Sequence, residues 1–365
     1  MDNLFTVADQ FKPQGRVIDV RDFGNGNINN TFLVTLDSKG GKHFILQRIN
    51  TRVFRQPELV IHNMRICTEH VCQRLQRVTL SPGRRWEVPA VLLAQDGGEF
   101  WLDSDGSFWR AISFIEGSQS FDTIRDIDQA SEIGCALGIF HTLLSDLPPD
   151  RLSDTLPGFH ITPRYLRHYE EVLAKYKAGK SSEVNYCLQF ISERSAWAYV
   201  LENAKAQGRL SLRPIHGDPK VNNIMIETAT GQAISIVDLD TVKPGLIHYD
   251  IGDCLRSGCN TLGEETKQWE KVHFDPDLCK AILQGYISMA REFLTENDFD
   301  YIYDSIRLIA FELGLRFFTD YLEGNVYFKV RHTEHNLARA LVQFTLTESI
   351  ESQEKAIRNI IQKIR

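Results

Sequence analysis

The run His216-Gly217-Asp218-Pro219-Lys220-Val221-Asn222-Asn223 places a carboxylate, a Lys two positions on and an Asn five positions on, just before a β-branched segment. Beyond it the apolar run Ile236-Val237 ends in Asp238, and Leu239-Asp240 follows. Phosphoryl transfer calls for such a set, because it needs positioning and charge neutralisation rather than covalent catalysis. In that chemistry Asp218 would accept the proton of an acceptor hydroxyl and Lys220 would neutralise the transferring phosphoryl group. Asn223 and Asp238 would give hard oxygen ligands to Mg2+, which keeps ATP phosphate oxygens and waters in its shell. A lone His-Gly-Asp is more often a turn capped by its Asp. Four polar types at this spacing, with an Asp on a hydrophobic strand downstream, outweigh that reading.

Three further residues are expected behind these. His216 would back the loop. Asp240 would help the metal or the substrate, or cap the turn before Pro244. Asp250, opening a helical pattern, would brace the catalytic loop or act as an N-cap. Near the N-terminus, Phe23-Gly24-Asn25-Gly26-Asn27 joins two strand-like runs, and Gly24, Asn25 and Gly26 would let backbone amides approach phosphate oxygens. Alone, that signal is only a hairpin turn; ahead of a catalytic loop it reads as a nucleotide loop.

These residues need two kinds of scaffold. Arg16 to Phe23, Thr31 to Leu36 and His43 to Ile49 are short runs with β-branched or aromatic residues, separated by glycine-containing turns, and predict an antiparallel meander. Leu59, Val60, Met64, Cys67, Val71 and Leu75 recur at helical spacing behind Pro57, which suits a first turn. Strand-like segments resume at Val88 to Ala94 and Trp109 to Phe114. From about Asp128 the texture changes to amphipathic helices, interrupted once between Leu212 and Val242, where the chemistry lies. The expected fold is α+β and bilobal: a nucleotide-binding lobe over residues 1–115 and a larger, mainly helical, catalytic and substrate-binding lobe over 116–365.

Composition narrows the partners. A formal charge of -7 without a long basic run weighs against a nucleic-acid backbone. No apolar stretch reaches the ~18 residues of a membrane span, and the N-terminus lacks the order of a signal peptide, so a cytoplasmic enzyme is expected. The seven cysteines form no CxxC pair and read as reduced thiols.

Taken together, these strings resemble the aminoglycoside phosphotransferase superfamily of kinase-like enzymes, and within it the N-acetylhexosamine 1-kinase branch. The resemblance runs from the Gly24-Asn25-Gly26 loop through Phe44-Ile45-Leu46-Gln47, the catalytic loop and Val237-Asp238-Leu239-Asp240-Thr241 to Lys271-Val272-His273-Phe274. It continues through Arg316-Phe317, Asp320-Tyr321-Leu322-Glu323-Gly324 and Glu334-His335-Asn336-Leu337. It implies a bilobal kinase-like fold with ATP in the cleft and a sugar hydroxyl, the anomeric one in that branch, facing Asp218. Arg316 matches a substrate-contacting Arg, against the alternative of an ion pair with Glu312 or Asp320.

Two positions depart from the pattern. Gln47 stands where many such enzymes carry a phosphate-pairing Lys; it would hydrogen-bond in its place, or Arg48 would substitute from the opposite strand face. Asn27 stands where the N-acetylhexosamine kinases have a His near the sugar, so the exact acceptor stays open. Choline, homoserine or an aminoglycoside are alternatives, as is a pseudokinase that binds nucleotide without turnover. Oligomeric state is not legible.

Overall fold

The computed structural model describes all residues except 1, 12–14, 25–27, 38–41, 79, 81, 82, 178 and 180. Helix α1 (Asp2–Ala8) precedes the antiparallel strands β1 (Arg16–Asp22), β2 (Asn30–Asp37) and β3 (His43–Arg48), then helix α2 (Pro57–Leu75), with Pro57 in its first turn. Three more strands, β4 (Val91–Leu92), β5 (Trp101–Leu102) and β6 (Phe108–Ser113), complete a sheet ordered β1-β2-β3-β6-β4, with β5 also on β6. Of the expected Val88 to Ala94 strand, only Val91 and Leu92 form a strand and Ala94 an isolated bridge to Phe11, and β5 has no counterpart among the expected strands, being too short to carry an alternation signal.

Side-chain alternation gives this sheet two faces. Phe44, Leu46, Trp109 and Ala111 pack outward with Val7 and Phe11 in a small core of their own. Ile45 and Ile112 point the other way, onto Met64 and Cys67 of α2, and belong to the same continuous core as the helical lobe. Gln47 and Arg110, paired across β3 and β6, lie on that inner side, whereas Arg48 pairs with Trp109 and so lies on the outer one. Arg48 therefore does not face the cleft, which answers the question left by Gln47.

The main sheet ends at Ser113; the next strand, β7 (Ser118–Gln119), joins a different sheet. Helices α3 (Ile127–Leu144), α4 (Thr162–Lys175), α5 (Ser182–Arg194) and α6 (Val200–Ala206) lead to β8 (Arg213–Ile215), β9 (Ile224–Glu227), β10 (Ala233–Ile236) and β11 (Lys243–Gly245). Their sheets run β10-β9-β7 and β11-β8. Helices α7 (Ile247–Gly258), α8 (Pro276–Ala290), α9 (Glu296–Asp300), α10 (Ile302–Leu322), α11 (His335–Ser352) and α12 (Glu354–Ile364) close the chain. The fold is a bilobal α+β arrangement.

Helices α3 and α8 cross closely because glycines face the contact. A Cβ on Gly134 would lie 1.9 Å from the Ile282 carbonyl oxygen, and one on Gly285 2.0 Å from that of Ser131. All seven cysteines are free thiols. No helix among the described residues is long and apolar enough to cross a membrane.

Candidate active site

The catalytic loop leaves β8 and reaches β9 through a single 3-10 turn, Val221–Asn223. Gly217 has φ 87°, and an added Cβ would meet the Thr241 carbonyl oxygen at 2.8 Å, so glycine alone fits where the loop passes the segment after β10. The Thr241 hydroxyl donates to the His216 carbonyl at 2.8 Å, and the Val237 amide to the Asn223 carbonyl at 2.8 Å. Two stretches distant in sequence are thereby locked side by side.

Asp218 is half-buried. Lys220 Nζ lies 2.9 Å from its Oδ2, and Asn223 Nδ2 donates to the Asp218 carbonyl at 2.8 Å and to Oδ2 at 3.3 Å. Enclosure pushes the Asp218 carboxyl up, but the charge and hydrogen bond of Lys220 outweigh it and hold the group below the ordinary carboxylate value. The same pair raises the Lys220 ammonium against the effect of burial. An ionised Asp218 is the form that can accept a hydroxyl proton.

Asp238 presents its side chain to the cleft from a left-handed conformation, φ 65° and ψ 54°, just before the 3-10 turn Leu239–Thr241. For a residue with a Cβ that geometry costs ~1–2 kcal/mol. Its carboxylate makes no hydrogen bond or ion pair among the described residues. Although Asp238 is solvent-exposed, desolvation by the protein atoms around it, together with the negative charges of Asp240 and Asp218, pushes its carboxyl up to about 7. With its side-chain nitrogen spent on Asp218, Asn223 keeps its side-chain oxygen Oδ1 without a protein partner among the described residues. No group of three or more His, Cys, Asp or Glu that could hold a metal occurs among the described residues. This donor set, one crowded carboxylate and one amide oxygen, fits a hard divalent cation that completes its shell with phosphate and water.

Asp240 is not part of that set. It is buried, its Oδ1 ion-paired to Arg110 and its Oδ2 accepting from Asn29 Nδ2 at 2.6 Å. Both of its oxygens are engaged with protein, and these contacts join the two lobes. Gln47, expected at the phosphates, is likewise committed to protein: its Oε1 accepts from Arg110 Nε at 3.0 Å and Nη2 at 2.7 Å, and its Nε2 donates to Thr31 Oγ1 at 3.0 Å. Gly24 has φ 74° at the end of β1. Asn25, Gly26 and Asn27 lie outside the described residues, so the nucleotide loop and the Asn27 substitution have no structural account.

Behind the loop, fully buried Asp250 accepts from the His216 amide at 2.7 Å and the Gly217 amide at 2.8 Å, and from His141 Nε2 at 2.8 Å. It lies within α7 and caps no helix. His216 Nδ1 accepts from the Asp218 amide at 3.2 Å, which leaves Nε2 to donate to the Val237 carbonyl at 3.0 Å. That pattern requires the neutral ring, and burial lowers its pKa accordingly. His160, at φ 63°, puts Nε2 2.7 Å from the Gly217 carbonyl and Nδ1 2.9 Å from Glu312 Oε1, whose other oxygen accepts from Thr162 Oγ1 at 2.6 Å.

Arg316 lies on α10, with its guanidinium over the rings of Phe159, Tyr165 and Phe328 at 5.1, 5.0 and 5.4 Å. Both anticipated partners are spent elsewhere: Glu312 on His160 and Thr162, and Asp320 on the amides of Val326, Tyr327 and Phe328. Among the described residues Arg316 forms no close ion pair with either, although the Glu312 charge still acts on it. Arg316, these rings and Tyr327 line a cavity of about 450 Å³.

Arg110, Asn29, His160, Glu312 and His141 have no sequence signal comparable to the catalytic loop. The one legible trace is a charged residue inside the apolar strand Phe108–Ser113, where an unpaired Arg would be intolerable.

A crystal structure of an aminoglycoside phosphotransferase from Alicyclobacillus acidocaldarius subsp. acidocaldarius DSM 446 superposes with TM-score 0.62 at 14% identity, covering 98% of this chain and 95% of that one. Choline kinase from Cryptosporidium parvum Iowa II gives TM-score 0.60 at 13% identity, with 99% and 97% covered. A spectinomycin phosphotransferase, solved with ADP and spectinomycin, gives 0.56 at 11%, with 97% and 98% covered. The model of the phosphotransferase enzyme family, APH, matches residues 19–285, most of the chain. With its fold shared by these kinases and its sequence matched across both lobes, the chain belongs to the APH phosphotransferase enzyme family.

Proposed function

We propose that the protein is a sugar kinase that moves the γ-phosphoryl group of ATP to the anomeric hydroxyl of an N-acetylhexosamine. Asp218 takes the hydroxyl proton and Lys220 offsets charge on the transferring group. Asn223 and Asp238 would hold Mg2+, which would neutralise the phosphate oxygens, and Asp250 and His216 keep the loop in register for both tasks. Gly24 and the loop that it opens are assigned to the nucleotide, as in the sequence reading.

The observation that carries the acceptor assignment is the setting of Arg316. Its guanidinium makes no hydrogen bond or ion pair among the described residues, yet it lines a cavity with Phe159, Tyr165, Tyr327 and Phe328. An aromatic cluster would suit a quaternary amine were it empty, but here a protein cation already lies against it. A cationic acceptor, whether choline or an aminoglycoside, would meet the Arg316 charge on this aromatic wall, with the cavity's carboxylates, Asp320 and Glu323, elsewhere in its lining. A polyhydroxyl ring that accepts from the guanidinium and stacks on an aromatic face is accommodated.

The assignment is tested by ADP release with Mg-ATP across N-acetylglucosamine, N-acetylgalactosamine, glucose, galactose, choline, ethanolamine, homoserine and kanamycin. Turnover is expected with the N-acetylated sugars. Arg316→Met should raise the KM for the sugar by about 100-fold with the KM for ATP little changed, the loss expected of a charge-assisted contact. Faster turnover with choline or kanamycin contradicts the sugar assignment.

A further inference from the structure

Gln47 and Arg110 face each other across β3 and β6, and Arg110 is 1% exposed on a strand that is otherwise apolar. A guanidinium is retained in such a place only if its charge and its donors are satisfied. Its Nε and Nη2 converge on Gln47 Oε1, and Nη2 also reaches Asp240 Oδ1. Gln47 is anchored in turn by Thr31 of β2. The second Asp240 oxygen is held by Asn29, whose Oδ1 accepts from the Asn50 amide at 2.9 Å. A buried polar chain thus runs from three strands of the first lobe to the turn that follows Asp238 in the second.

That turn has a reason to need holding. Asp238 is left-handed, with no hydrogen bond from its own side chain, and such a conformation persists only where the surroundings over-determine it. From the catalytic side it is tied by the Val237 amide and carbonyl and by Thr241. From the first lobe its ties are Asp240 and, at the far end of the turn, Asn63 Nδ2 of α2, which donates to the Val242 carbonyl at 2.8 Å.

We propose that Arg110 is a positioning residue for phosphoryl transfer: through its buried contacts to Gln47 and Asp240 it fixes, from the first-lobe sheet, the turn that presents Asp238 to the cleft. The cation at this level of the sheet is therefore carried by β6 and spent on alignment of the lobes, not on a phosphate. The proposal rests on the reading of Asp238 as a metal ligand.

The test compares wild type, Arg110→Lys, Gln47→Met and Asp238→Ala by backbone hydrogen exchange over residues 237–242 without ligand, by ADP affinity in EDTA, and by steady-state kinetics. Lys keeps the charge but cannot serve Gln47 and Asp240 together, because it lacks the planar fork. Arg110→Lys should speed exchange over 237–242 by about tenfold and lower kcat by about 10- to 100-fold, with metal-free ADP affinity within about threefold of wild type. Gln47→Met leaves the ion pair in place, should move exchange and kcat the same way by less, and decides the matter alone if Arg110→Lys does not fold. Wild-type exchange and kcat in the folded variants, with only melting temperature lowered, overturn the proposal. Magnesium-dependent turnover retained in Asp238→Ala overturns the metal reading itself, independently of the exchange result.

Discussion

Both ring nitrogens of His160 face oxygens that carry no proton, the Gly217 carbonyl and the Glu312 carboxylate, so both must donate and the ring must be cationic. Burial opposes that charge, but the charge and hydrogen bond of Glu312 outweigh it and raise the His160 pKa above its ordinary 6.5. Because the folded value is the higher one, the stability it contributes is complete below the unfolded value and is lost as pH rises through the folded one. Glu312, held low against burial by His160, contributes in the opposite direction, and its share is lost on acidification. The melting temperature of wild type relative to His160→Gln should therefore fall as pH rises above the ordinary histidine value of 6.5, and a constant difference would contradict the cationic assignment. Asp250→Asn tests the neighbouring contact. An amide cannot accept from the His216 amide, the Gly217 amide and His141 at once, since one of its two heads is a donor. A folded variant with kcat lowered by about 100-fold and nearly unchanged nucleotide affinity is expected from calorimetric titration and steady-state kinetics.

At the scale of elements, what was legible depended on how local the signal is. The β1 to β3 meander and α2 could be read because alternation and helical spacing are properties of a single segment. The strands β5, β7, β8 and β11 have three residues or fewer and exist because a partner strand pairs with them, which no window of sequence records. The same holds for the site. Asp218, Lys220, Asn223 and Asp238 are spaced along short stretches and stand out, whereas Arg110 and Asp240 meet from 130 positions apart. Gln47 was recognisable as a departure, but its commitment to Arg110 depends on strand pairing. Helix propensity likewise misleads at Gly134. In isolation Gly→Ala in a helix gains ~1 kcal/mol, but here the new Cβ would lie 1.9 Å from a backbone oxygen of α8, which must move at a cost of ~2–3 kcal/mol. Gly134→Ala should lower the melting temperature by roughly 4 °C in thermal unfolding, and a rise would mean that the helices do not cross this closely.

For the whole molecule, the continuous core that joins the inner face of the first-lobe sheet to the helical lobe makes the cleft a fixed feature rather than a gap between independent bodies. Surface ties reinforce it: Arg84 forks onto Glu132, and Arg85 reaches Glu227 at 2.9 Å. On the proposed reading, such a frame would hold the proton acceptor, the cation site and the acceptor cavity at set separations, which is where phosphoryl transfer gains most of its rate. The most direct measurement of the central claim is phosphorus NMR of N-acetylglucosamine incubated with Mg-ATP and the enzyme, with Asp218→Asn beside it. Wild type should produce ADP and a sugar phosphate whose phosphorus couples to the anomeric proton, while Asp218→Asn binds Mg-ATP and leaves it intact. Phosphate on another hydroxyl, no sugar phosphate at all, or undiminished turnover by Asp218→Asn would contradict the account.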